Sequence, residues 1–444
     1  MNKITTTAGI VALGAASLHA AVDAPLAGSQ QATKPWSISA TLRGFYDDNY
    51  ATAPDALKRD SFGFEVSPSA SVNIIRDQTA FGLNYVYSYR YYQDREHLGL
   101  PADDQSHQVN AKLSHAFTPR YKLDLSDSFV YAQEPTLIAG DLPILSSYLR
   151  SDSSAYRNHA QGSFSAGITE ETTIVLGYSN QWYDYDQEGP NSFSANLDRV
   201  ENLASINLRQ VVLPKTVLVA GYQYERINYT APSSVSPIVI PPAGATPGFG
   251  FASDERDNYS HYFYLGVDQG FTPTLNGSLR AGAQYTDYDN MSTLQMVNPG
   301  LSSSQWSPYV DANLTWLYLP GSYAQIGVRH QRAPTDVAFV GTSPNLDAES
   351  TSVYGSVNHR FFGGFVASLI AQYQHSTYND GGSDTADDYF LVGINVTYEL
   401  NKFVALEAGY NFDHLESDLE SLAVLSQPRG FERNRVYIGV RGTY

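Results

Sequence analysis

From Trp36 to Tyr444 the chain alternates apolar and polar residues with a period of two, in segment after segment. Phe81, Leu83, Tyr85, Tyr87, Tyr89 and Tyr91 fall on one face of such a segment, and Gly82, Asn84, Ser88 and Arg90 on the other. Successive side chains of a strand point to opposite faces, so this is a strand with one aromatic-apolar face and one polar face. The same pattern runs through residues 275–286 and 404–412, and through 365–374 with lapses at Val366 and Ile370. Aromatic residues gather at the ends of each apolar face and small aliphatic ones at its middle.

The connections alternate too. Tight turns are expected near 76–78, 118–120, 169–171, 213–215, 272–274, 319–321, 361–364 and 401–402. Between them lie longer polar connections near 51–60, 93–104, 135–154, 187–196, 230–254, 289–303, 333–349, 379–387 and 413–431. Eight short turns and nine long connections require nine hairpins, hence about 18 strands (16–20). A soluble propeller also has many short strands, but nothing in it demands this alternation, and no repeated Trp-Asp blade motif occurs. A soluble sandwich gives rings no reason to cluster at strand ends. Lipid does, because it requires a closed sheet with every backbone group paired and an apolar band between aromatic girdles. The expected fold is therefore all-β, a transmembrane antiparallel barrel over residues 36–444 with short periplasmic turns and longer extracellular loops.

Composition agrees. The 33 Tyr and 20 Phe raise aromatics to 13%, while only 16% of residues are charged, against roughly 25% in average soluble proteins. A net charge of -18 argues against nucleic-acid binding, which wants a basic face. Absence of cysteine excludes disulfides, thiolate metal sites and a cysteine nucleophile. Lys3, the apolar run from Ala8 to Leu18 and the small pair Ala20–Ala21 have the layout of a secretory signal peptide, 1–20, cleaved after Ala20. Residues 21–35 read as a flexible periplasmic lead-in, and no later run of about 18 apolar residues offers a membrane helix.

The last strand carries a specific signal. Val436, Ile438, Val440, Gly442 and Tyr444 share one face, and an aromatic residue stands at position 444. This resembles the terminal strand of bacterial outer-membrane barrels, and the chain as a whole resembles the outer-membrane proteins grouped as beta-barrel porins of type two. The resemblance implies an outer-membrane location, contact with lipid and lipopolysaccharide, and recognition of that strand by the barrel-assembly machinery.

A barrel of about 18 strands leaves an aqueous lumen, so function is sought on the polar face. Alternation assigns to it the basic residues Arg43, Arg90, Lys112, Lys122, Arg209, Arg280, Arg329, Arg435 and Arg441. The acidic ones are Glu65, Asp124, Glu225, Asp268, Asp311, Glu399 and Glu407. These either pair across strands or stand on opposite walls and set up a transverse field. The loops hold acidic runs, Asp47, Asp48, Asp55 and Asp60; Asp94, Glu96, Asp103 and Asp104; Asp380, Asp384, Asp387 and Asp388; Asp413, Glu416, Asp418 and Glu420. None has a full calcium-loop spacing, so solvated carboxylates with mild cation attraction are expected, and no metal or cofactor. The Pro-rich apolar stretch 231–250 is either an outer flap or a segment folded into the lumen. The histidines, among them His97, His107, His115, His261, His330, His359 and His375, are scattered and flanked by no serine motif, so no catalytic site is expected. The leading functional expectation is a porin passing small hydrophilic solutes, with a homo-oligomer allowed. The alternatives are export of capsule or exopolysaccharide, with Phe45, Tyr264, Tyr389 and Tyr437 stacking on sugar rings, and a structural or adhesive barrel.

Overall fold

The computed structural model describes residues 35–95, 101–133, 144–145, 154–186, 197–231, 252–340, 343–382, 384–421 and 429–444. The expected leader 1–20 and nearly all of the lead-in therefore lie outside the described residues, as does the stretch 232–251.

Eighteen strands form one antiparallel sheet. In chain order they are β1 (Trp36–Asp47), β2 (Ser61–Arg76), β3 (Thr79–Tyr92), β4 (Asp103–Thr118), β5 (Tyr121–Ala132), β6 (Ala155–Gly167), β7 (Thr172–Tyr185), β8 (Arg199–Leu213) and β9 (Thr216–Tyr229). They continue with β10 (Asn258–Gly270), β11 (Leu275–Tyr288), β12 (Ser304–Leu319), β13 (Ser322–Ala333), β14 (Ala348–Arg360), β15 (Phe365–Tyr378), β16 (Ala386–Glu399), β17 (Val404–Ser417) and β18 (Phe431–Thr443). Each strand pairs with its sequence neighbours, and β1 also pairs with β18, from Ser39 opposite Thr443 to Asp47 opposite Arg435. Tyr444 and Ile38 extend that seam with two backbone hydrogen bonds of 2.8 and 3.2 Å. The sheet is closed, which removes the unpaired edge that lipid would not tolerate.

The apolar face is the outer one. Ile38, Leu83, Leu125, Leu176, Leu265, Ile326 and Ile438 are all exposed, Leu265 and Ile438 to 71%. Rings flank this band on both sides. Trp36 and Tyr444, Tyr121 and Phe164, and Trp316 and Tyr318 sit at its short-turn end, with centroids 6.0, 6.2 and 5.1 Å apart. Tyr85, Tyr87, His107, Tyr131, Tyr156 and Trp182 form a run at the other end. His115 packs edge-on against Phe117 and shares a 2.7 Å hydrogen bond with Thr79, and so belongs to the lower girdle.

The strands are 12–16 residues long, more than the 9–11 or so that a tilted strand needs to cross a bilayer. The surplus continues the wall above the outer girdle, where the long connections pack on one another. Tyr288, Met291, Leu294, Leu301, Ala338 and Leu346 form one buried cluster, which joins the connection 289–303, with its short helix α1 (Ser292–Val297), to the connection 334–347. Asn298 donates a 2.6 Å hydrogen bond to the Asp380 carbonyl and ties in a third connection. Among the described residues no helix is long and apolar enough to cross a membrane; the strands cross instead.

Candidate functional site

All sixteen charged residues assigned by alternation lie on the face opposite the exposed apolar one, and the register brings most of them into two ladders. The first crosses the closing seam. Arg90 on β3 meets Glu65 on β2 at 2.8 Å, Glu65 meets Arg43 on β1 at 3.5 Å, Arg43 meets Glu407 on β17 at 2.6 Å, and Glu407 meets Arg441 on β18 at 3.0 Å. The second occupies the far wall. Asp268 on β10 holds Arg209 on β8 at 2.5 Å and Arg280 on β11 at 2.6 Å, and Asp311 on β12 holds Arg329 on β13 at 3.0 Å. Each wall thus carries both signs, and Glu65, Glu407 and Asp268 are each shared between two guanidinium groups. Opposite signs on opposite walls are not what the geometry presents.

Smaller pairs complete the set. Lys122 and Asp124 are 2.7 Å apart, Arg435 pairs with Asp413 at 2.7 Å, Glu399 with Arg360 at 3.0 Å, and Glu225 accepts a 2.6 Å hydrogen bond from Tyr262. Lys112 on β4 is different. It is exposed into the interior, and no carboxylate partner faces it among the described residues.

Alternation missed Arg360 and Asp413, which stand next to a turn or a connection, and the buried pair Arg199–Glu201 at 2.7 Å. Their parity within the strand was readable, but uncertainty over where the strands end hid it. The acidic connections also differ from expectation. Asp47, Asp104, Asp387 and Asp413 are buried and paired with Arg433, Arg95, Arg429 and Arg435. They stand toward the outer ends of their strands, where burial of a carboxylate requires a partner. Others remain solvated, as Asp55 does with its side chain 83% exposed. Burial lifts the Asp257 carboxyl above its usual range even though the Tyr229 amide and the Asn228 side chain donate to it.

The proposed sugar-stacking rings do not stand into the lumen. Phe45, Tyr264 and Tyr437 each lie flat over the glycine directly opposite on the next strand, Gly63, Gly221 and Gly409. Tyr354 does the same over Gly327. The missing Cβ lets a long side chain cross its neighbour and bond two strands away: Tyr264 on β10 donates to Asn207 on β8 at 2.6 Å, and Arg43 crosses Gly439 to reach Glu407. Tyr389 is fully buried with Leu391, Leu415 and Phe431.

That last cluster receives a visitor. Leu145, from the connection 133–154 between β5 and β6, packs against it. Its backbone N–H donates to the side-chain carbonyl of Gln374 on β15 at 2.8 Å, and the Gln374 amide donates back to the Leu145 carbonyl at 3.0 Å. Strands 5 and 6 lie nearly opposite strand 15 in a ring of 18, so Leu145 meets the wall far from the two strands that its connection joins. The Pro-rich stretch considered as an inward fold lies, from 232 on, outside the described residues.

Residues 249–444 match the family model described as Putative beta-barrel porin 2. No curated protein matches the chain. Solved structures similar to it include Acinetobacter baumannii OccAB4, at 12% identity and a TM-score of 0.43, over 93% of this chain and 99% of that one. A BenF-like porin from Pseudomonas fluorescens Pf-5 is similar at 12% identity and a TM-score of 0.44, over 93% and 99%. Pseudomonas aeruginosa OccK2, solved in complex with glucuronate, is similar at 13% identity and a TM-score of 0.43, over 92% and 98%.

Proposed function

We propose that this barrel is a porin-like channel of the bacterial outer membrane and that small hydrophilic solutes and ions diffuse through it down their gradients. The family match over residues 249–444 supports the porin-like part of the reading. The observation that carries the rest is the closed wall of 18 strands with a polar, charge-paired inner face. Side chains do not fill a barrel of this width, so its interior holds water.

Leu145, bonded through its backbone to Gln374 on β15, adds main-chain polar groups to the inner face beside the paired ladders. Passing solutes meet hydrogen-bonding groups rather than a field of one sign. Lys112 is the wall cation best placed to meet an anion, while carboxylates of the outer connections attract cations at the mouth. The terminal strand would present Val436, Ile438, Val440, Gly442 and Tyr444 to the assembly machinery, with a leader cleaved after Ala20.

Planar-bilayer recording of the full-length protein tests the reading. Stepwise ohmic conductance with mild cation preference at low salt is expected. Absence of conductance at every salt concentration would remove it in favour of a structural barrel.

A further inference from the structure

The outer wall is mostly apolar between its girdles, and β5–β8 depart from this over four adjacent strands. On β5 the outward positions run Tyr121, Leu123, Leu125, Asp127, Phe129, Tyr131. Asp127 stands six residues above the lower girdle ring and four below the upper one. At about 3.3 Å per residue and a tilt of about 40°, that is ~15 Å above one and ~10 Å below the other, inside the hydrocarbon. Among the described residues it is the one outward carboxylate so enclosed. Its partner is Asn158 on β6, whose amide donates to both carboxylate oxygens at 3.1 and 3.3 Å. On the next two strands Asn180 donates to Asn202 at 3.0 Å, and Tyr178 donates to the same Asn202 oxygen at 2.7 Å. A diagonal polar stripe thus crosses four lipid-facing strands.

Directly below it the wall is indented. Ala111, Ala160 and Gly162 floor a depression of about 590 Å³ walled by Phe81, Leu113, Leu125, Phe164, Leu176 and Tyr178. An acyl chain could fill the depression but could not satisfy the stripe, and headgroups stay at the level of the rings, ~10 Å away. Lipid therefore leaves the polar groups unmet, where each costs free energy. A protein surface does not.

We propose that the β3–β8 wall is the contact surface for a second copy of this chain. The stripe is self-complementary: among the described residues the Asn202 amide nitrogen donates to nothing, and the side-chain oxygens of Asn158 and Asn180 accept nothing. The open donor of one copy can meet the open acceptors or the Asp127 carboxylate of the other, with side chains of each filling the other's depression. Six strands at about 4.8 Å and a band about 25 Å tall give on the order of 700 Å² per copy, close to the ~800 Å² per partner of a stable interface.

The chain has no cysteine, so a single introduced thiol reports the contact without background. Ala160→Cys, treated with a short bismaleimide in native membranes, should give a covalent pair of identical chains. Ala371→Cys, at similar height on the opposite wall, should stay single. Adding Asp127→Leu and Asn202→Leu to Ala160→Cys should lower the linked yield about tenfold, with heat-dependent gel mobility confirming that the barrel still folds. Equal linking at both positions, linking of Ala160→Cys to a different protein, or no linking at all would each overturn the proposal. None of these readouts depends on whether the lumen conducts.

Discussion

Lys112 and Arg280 both point into the lumen, and the difference between them is company. Arg280 donates to the Asp268 carboxylate at 2.6 Å and to the Val267 and Leu279 carbonyls, so its field is largely cancelled within the wall. Among the described residues Lys112 has no such neutralisation. Lys112→Ala should therefore raise the cation-to-anion permeability ratio, by roughly twofold, more than Arg280→Ala or Arg329→Ala does. The reversal potential in a salt gradient checks the order; a larger shift from Arg280→Ala would contradict the pairing argument. The sequence placed all three residues on the inner face but could not distinguish them, because pairing depends on register, and a period of two fixes parity without fixing register.

At the scale of the strand pair, glycine opposite a long side chain is the recurring unit. Gly409 lies under the Tyr437 ring and Gly221 under that of Tyr264. A β-branched residue there must displace the ring from the wall. Gly409→Val should cost about 1–3 kcal/mol through overpacking, measured as a lower urea midpoint of the folded barrel, while Gly442→Val, where a Cβ would meet nothing, should cost far less. Each glycine was visible in the alternating pattern, but the pattern does not say what faces it. Its function comes from the residue facing it across the sheet, tens or hundreds of positions away, as Arg43 is from Gly439. Strands and turns were legible for the opposite reason: Gly321, with φ 76° in the Leu-Pro-Gly turn, and the alternation on either side of it are local signals.

The whole molecule adds a contact that no segment announces. Leu145 and Gln374 are 229 positions apart, and neither neighbourhood differs from other loop or strand sequence, so the contact was beyond the reach of pattern. Gln374→Ala, which removes both bonds to the Leu145 backbone, should increase open-channel noise in single-channel records; unchanged traces would show that the contact does not bear on the conducting path. Closure of β1 on β18 was anticipated from the even strand count, yet the Arg90–Glu65–Arg43–Glu407–Arg441 chain that reinforces it was not. A thin-walled tube of 18 strands resists stretching along its hydrogen bonds but flattens easily into an ellipse. The Arg90–Glu65–Arg43–Glu407–Arg441 chain, laid across five strands at the seam, stiffens that arc, so lateral pressure from a crowded membrane should bend the wall elsewhere first.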